Sequence, residues 1–187
     1  HAFEQALLAL AKEKPGSVSY GTPGMGGPNH VAMELLQQRT DTDFLHVAYR
    51  GAAPVIQDLI AGQIQFALID TASSIQYIKS DRLRPIAVST EQRLESLPDV
   101  PTFAEAGVED FIAFSWQGMI VPKNTPAAII EKLNTSLNAA LSSEKVNQAL
   151  VSMGVERSPS TAAEFKQFVA DQDKLWGEVI REANISL

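Results

Sequence analysis

Apolar positions along the chain fall into two spacings that succeed one another. Phe3, Leu7, Leu8, Leu10 and Ala11 recur at helical intervals, and Pro15-Gly16 ends that run. Residues 17–20 (Ser-Val-Ser-Tyr) then read as a short strand, 21–28 as a glycine-rich turn, and 28–39 as a helix presenting Val31, Met33, Leu35 and Leu36. The sequence repeats this order. A strand over 44–48 ends in a small-residue turn and leads to a helix with Val55, Ile56, Leu59 and Ile60, which Gly62 closes. A third strand over 64–69 precedes a short helix at 74–79, and a fourth strand is expected over 83–88.

Apolar strands joined by helices predict an α/β fold with a mostly parallel sheet covered by helices on both faces and right-handed crossovers. Ligands of such sheets gather at the carboxyl ends of the strands. Three loops therefore point to one rim: 24–30, 49–54 and 70–74.

Beyond residue 97 the pattern loosens. Pro98, Pro101 and Gly107 punctuate a brief helix near 102–106, and 111–121 reads as extended. From Thr125 to the end everything is helical. Thr125 and Pro126 open a helix bearing Ile129, Ile130, Leu133 and Leu137, and Gly154 closes a shorter one over 145–153. Thr161 and Glu164 form a capping box before a long helix with Phe165, Phe168, Val169, Leu175, Trp176, Val179 and Ile180 on one face. These helices carry apolar stripes but no strands, so the sheet they should cover is expected from elsewhere. The stripes predict either folding back on the preceding helices or self-association.

Composition narrows the function classes. The 187 residues carry 15 basic and 22 acidic side chains, a net charge of −7, which argues against nucleic acid or an anionic membrane as partner. There is no cysteine, hence no disulfide and no thiolate chemistry, and no apolar run reaches the length of a membrane span. A helical pattern starting almost at His1 predicts that a signal peptide and an N-terminal segment precede it. His1, His30 and His46 are too scattered to suggest a metal site, and no nucleophile–base set or catalytic carboxylate pair stands out. No enzyme chemistry and no cofactor are expected.

An acidic chain must capture an anion locally, and the glycine turn supplies the means. Glycines after a parallel strand let the backbone approach a ligand, and the following helix aims unpaired N–H groups and a partial positive charge at the same spot. The pattern alone leaves open a dinucleotide phosphate or a free carboxylate. The first makes an NADP-dependent oxidoreductase, with Arg50 near a 2′-phosphate, and the second a binding protein. Candidate contacts are Gly24, Met25, Gly26, Gly27, Asn29 and His30 in the first loop, Tyr49, Gly51 and Ala52 in the second, and Asp70 and Thr71 in the third. Each has a plainer alternative. The glycines can simply permit a tight turn, His30 can be a buried imidazole bonded to a backbone carbonyl, and Tyr49 can be an edge of the core. Asp70 would repel an acid and suits a helix cap, and Trp116 suits packing.

The order Tyr20-x-x-x-Gly24-x-Gly26-x-x-x-His30, His46-Val47-x-Tyr49-Arg50-Gly51-x-x-Pro54 and Gly62-Gln63 through Asp70 resembles the Bug-type receptors of tripartite tricarboxylate transporters. So do Leu97-Pro98-Asp99-Val100-Pro101-Thr102-x-x-Glu105-Ala106-Gly107, Trp116-x-Gly118 and Pro122-x-x-Thr125-Pro126. The resemblance implies a periplasmic solute-binding protein of type II architecture, with a small carboxylate held between two lobes and passed to membrane subunits. It further implies a division into a linking helix (1–14), a ligand-binding second domain (15–115), a crossover strand and hinge (116–124), and the C-terminal helices of an incomplete first lobe (125–187). The chain departs from the family pattern inside the site. Gly27-Pro28 replaces a usual hydroxyl residue, Thr71 stands where Asn is frequent, and Arg50 where Lys is common.

Overall fold

β1 (Ser19–Thr22) is the middle of a three-stranded parallel sheet, flanked by β2 (Leu45–Ala48) on one side and β3 (Phe66–Ala67) on the other. This computed structural model describes residues 2–185, with side chains described from Leu7 onward. His1 and the core contact expected of Phe3 lie outside the described residues. The helices are α1 (Ala2–Glu13), α2 (Pro28–Thr40), α3 (Ala52–Ile60), α4 (Thr71–Lys79), α5 (Ala127–Leu141), α6 (Glu144–Ser152) and α7 (Ala162–Glu182).

The pleat of β1 sends alternate side chains to opposite faces. Val18 and Tyr20 enter a core with Ala11 of α1, Val31, Met33, Leu35 and Leu36 of α2, and Phe44 and Phe66. On the other face, a Cβ added to Gly21 would come within 2.5 Å of Ile64 Cδ1 and 3.0 Å of Val55 Cγ1, so α3 lies directly on the strand there. Helices therefore cover both faces, as expected. The chain leaves β1 for β2 through α2, then crosses to β3 through α3. That reversal makes the carboxyl end of β1 a topological switch point, where open parallel sheets leave a crevice.

The expected fourth strand over 83–88 does not form. Pro85 lacks a ladder donor, and what remains is a single parallel bridge between Val88 and Thr102. The extended stretch after Phe111 likewise forms no strand; the Ala113 amide donates to the Ser89 carbonyl at 2.9 Å and the Ser89 hydroxyl donates to the Ala113 carbonyl. The brief helix near 102–106 is a series of turns, with Glu105 accepting from the Thr102 amide. α4 begins three residues earlier than the apolar pattern suggests, directly at Thr71.

The C-terminal helices form as read. Thr161 and Glu164 make the reciprocal capping box at the start of α7. α7 folds back onto α2, with Val179 only 3% exposed in the β1 core and Trp176 packed against it. α5 packs on α6 and α7 but buries no residue fully, leaving Ile129 and Leu133 exposed. No helix among the described residues is long and apolar enough to cross a membrane.

Candidate functional site

The loop after β1 carries the main-chain geometry of an anion cradle. Its chain turns through Gly26, whose φ of +66° lies in the left-handed region that favours glycine, and enters α2 at Gly27 and Pro28. Pro28 at the helix start has no N–H to leave unsatisfied. Among the described residues, the amides of Met25, Gly27, Asn29 and His30 find no hydrogen-bond acceptor, and Val31 is the first to bond back, to the Gly27 carbonyl at 3.0 Å. Four donors thus cluster at the positive end of the α2 dipole. The loop is open to its surroundings, with Met25 61% exposed.

One amide of the loop is withdrawn from this set. Gly26 N–H donates to His30 Nδ1 at 3.0 Å, so the buried imidazole accepts a backbone amide instead of donating to a carbonyl. The His30 proton then resides on Nε2, 3.5 Å from Glu34 Oε1. The His30 ring stacks on His46 of β2, centroids 4.0 Å apart, and His46 in turn stacks on Tyr20 at 4.9 Å. Thr22 Oγ1 lies 2.6 Å from His46 Nε2 and donates to the Gly24 carbonyl at 3.0 Å. Because that hydroxyl proton is used on Gly24, His46 Nε2–H is the donor to Thr22.

Burial, with His30 beside it, pushes His46 down to about 4, so its ring is neutral near pH 7. Burial, helped by the Glu34 and Asp43 carboxylates, pushes the Tyr20 phenol above its usual range, and its buried hydroxyl has no hydrogen-bond partner by geometry.

The second loop adjoins the first, since Gly51 N–H donates to the Pro23 carbonyl at 2.9 Å and Tyr49 N–H to the Thr22 carbonyl at 2.9 Å. These bonds occupy the Gly51 amide. The amides of Ala52 and Ala53, at the mouth of α3, find no acceptor among the described residues. The Tyr49 hydroxyl donates to Asp58 Oδ2 at 2.8 Å, which turns it along α3, and burial, helped by this bond to the carboxylate, raises its pKa.

In the third loop Asp70 occupies the N-cap position of α4 but makes no side-chain cap; its Oδ1 instead accepts from the Ser115 hydroxyl at 2.6 Å. Thr71 is covered by the α6 exit, where a Cβ on Gly154 would fall 2.7 Å from Thr71 Cγ2. Trp116 packs edge-on against Phe165 and Phe168, the packing role expected of it.

The structure thus joins the first two loops through the main chain and ties the third to the extended stretch after Phe111. His46, named from sequence only in the family pattern and in setting aside a metal site, was not among the candidate contacts, and neither was Thr22. Alternation along β1 and β2 was the available signal, since Tyr20 and His46 are register partners on one face. A cleft of about 440 Å³ lies elsewhere, between α4 and α6, lined by Lys79, Glu95, Asn147 and Ser152 among others. Among the described residues no group of three or more His, Asp or Glu side chains is placed to hold a metal ion.

Comparison with known proteins agrees with this architecture. Residues 3–185 match the model of the tripartite tricarboxylate transporter family receptor. A UPF0065 protein in the tcbD-tcbE intergenic region of Pseudomonas sp. (strain P51) is 33% identical over 96% of this chain and 54% of its own length. Protein BugT of Bordetella pertussis is 32% identical over 97% of this chain and 56% of its own. The chain therefore spans about half the length of these curated relatives. An R. palustris protein solved with adipate superposes with a TM-score of 0.82 at 29% identity, covering 97% of this chain and 61% of that one. With the family match running almost end to end, the chain belongs to the tripartite tricarboxylate transporter receptors, a family of solute-binding receptors and not of enzymes.

Proposed function

We propose that this chain forms the anion-holding part of an extracytoplasmic, periplasmic receptor that captures a small carboxylate between two lobes and hands it to the membrane subunits of a tripartite transporter. The observation that carries the reading is the cluster of acceptor-free amides from Met25, Gly27, Asn29 and His30 at the switch point of the sheet. Amides of Ala52 and Ala53 extend the donor surface across the neighbouring loop. An acidic chain with no basic side chain required at this rim suits a ligand held by main-chain dipoles. The adipate bound to the R. palustris relative supports a dicarboxylate as the ligand class.

In this reading residues 15–115 are the ligand-binding domain, 116–124 the hinge, and 125–187 the helical part of a first lobe. Ile129 and Leu133 of α5 and Ile120 of the hinge are exposed, apolar surface that a sheet of the first lobe would cover. Closure of the lobes removes water from the amides and strengthens each hydrogen bond to the ligand. The transporter then reads the closed form.

Calorimetry with adipate, on the 187-residue chain and on a form extended to the length of its relatives, tests the proposal. The extended form is expected to bind at least about tenfold more tightly than the chain alone. Failure of the extended form to bind adipate or any of a panel of mono-, di- and tricarboxylates, or retention of NADP in their place, overturns it.

A further inference from the structure

The His30 and His46 rings stack on each other; the His30 ring bonds the Gly26 amide directly, and the His46 ring reaches the Gly24 carbonyl through the Thr22 hydroxyl. We infer that His30 and His46 are positioning residues that orient the peptide groups of residues 24–27, and so select which amides face the carboxylate. The inference rests on the receptor reading above for its ligand and on geometry for its mechanism.

Two anchors act on successive peptide groups. Through Thr22, His46 holds the Gly24 carbonyl inward, at 2.6 Å and 3.0 Å along the relay. In a trans peptide the C=O and the following N–H point in opposite directions, so the Met25 N–H is turned away from Thr22. Through its Nδ1, His30 holds the Gly26 N–H inward at 3.0 Å. The donors left for a ligand are then Met25 on one side of Gly26 and Gly27 on the other, continuing into Asn29 and His30 at the start of α2. Without the imidazole acceptor, the loop has no fixed place for the Gly26 amide, and the left-handed Gly26 is free to turn over.

The two anchors are coupled because the rings lie face to face, 4.0 Å apart and 14° from parallel. His30 is 8% exposed, and its Nε2–H faces Glu34. The ring cannot rotate to offer its other nitrogen without losing both partners. A neutral His46 beside it avoids placing a charge against that stack.

Two substitutions separate the acceptor from the ring. His30→Phe keeps a flat ring against His46 and removes the acceptor; His30→Asn removes the ring and keeps an acceptor close to the Nδ1 position. NMR of the chain without ligand reads the loop directly. The His30 Nδ1 is expected to be unprotonated in wild type, and the Gly26 amide proton to shift and lose its protection from exchange in His30→Phe but not in His30→Asn. With adipate as probe on the extended form, His30→Phe should weaken binding at least about tenfold and His30→Asn less than about threefold, the effect of a misdirected donor set rather than of lost bulk.

A protonated Nδ1 in folded wild type overturns the inference, and so does a Gly26 amide that is unchanged in His30→Phe. Circular dichroism and the wild-type tautomer measurement keep the test decisive if a variant folds poorly. If the Gly26 amide responds as stated while wild type binds no carboxylate, the positioning role is supported and the receptor reading fails.

Discussion

The Ser115 hydroxyl donates to Asp70 Oδ1 across 2.6 Å, joining two residues 45 positions apart in sequence. Asp70 stands at the carboxyl end of the sheet, where α4 begins, and Ser115 lies in the extended stretch that precedes α5. The bond therefore ties the rim of the candidate site to the chain that leads into α5–α7. Gly154 closes on Thr71 next door. Both groups of the bond are exposed, so its contribution is modest: Asp70→Ala and Ser115→Ala are each expected to cost about 0.5–1.5 kcal/mol. Combining them should cost no more than the larger single change, because the same bond is lost. Urea unfolding of the four proteins checks this.

The three glycines of the first loop should respond differently to alanine. Gly26 is left-handed at φ +66°, so Gly26→Ala is expected to destabilise the fold by about 1–2 kcal/mol. A Cβ on Gly24 meets nothing within 4 Å, and one on Gly27 meets only the Gly24 carbonyl at 3.7 Å. Gly24→Ala and Gly27→Ala should therefore leave thermal unfolding almost unchanged. Any loss of adipate affinity in these two variants of the extended form reports close approach of a ligand to the loop.

Stability should fall as the medium is acidified through the range where only the unfolded chain takes up a proton at His46. The folded-state value is about 4 against 6.5 for a free imidazole, so the unfolded state binds the extra proton between those values. The neutral ring's advantage is complete above about pH 6.5, declines toward pH 4 and is gone below it. Because the ring is only partly buried, solvent screening reduces the effect to about 1–2 kcal/mol. Urea titrations at pH 7 and pH 4.5, in wild type and His46→Phe, measure it; the variant should lose less on acidification.

Gly118 lies under the Phe165 ring so closely that any Cβ there would overlap it. Phe165 is held in turn by Trp116, edge-on at 5.6 Å, and stacks with Phe168 at 6.3 Å. Gly118→Ala is expected to displace that ring and cost about 1–3 kcal/mol. Trp116 fluorescence should shift with it, whereas Phe165→Leu in the same background should recover part of the loss.

Much of the architecture was legible in the residue order. The capping box of Thr161 and Glu164 and the stripes of α2, α5 and α7 mark helices whose bonds close within four residues, so a short window contains their cause. The glycine turn between β1 and α2 was legible for the same reason. The run over 83–88 looked equally like a strand, yet a strand exists only where a neighbour supplies a ladder, and Pro85 with one bridge at Val88 does not make one.

Within the site, local pattern located the loops and not the use of each group. Main-chain donors at a strand–turn–helix junction follow from covalent geometry and the helix dipole, and the sequence by itself determined that these loops meet at one end of a parallel sheet. Only the tertiary structure decided that Gly26 spends its amide on His30, that Tyr49 gives its hydroxyl to Asp58, and that Asp70 binds Ser115 instead of capping α4. A hydrogen bond of this kind depends on separations of about 3 Å. Segments far apart in the chain, and side chains sharing one loop or helix, settle such separations only when the packed sheet, its register and its rotamers are all in place.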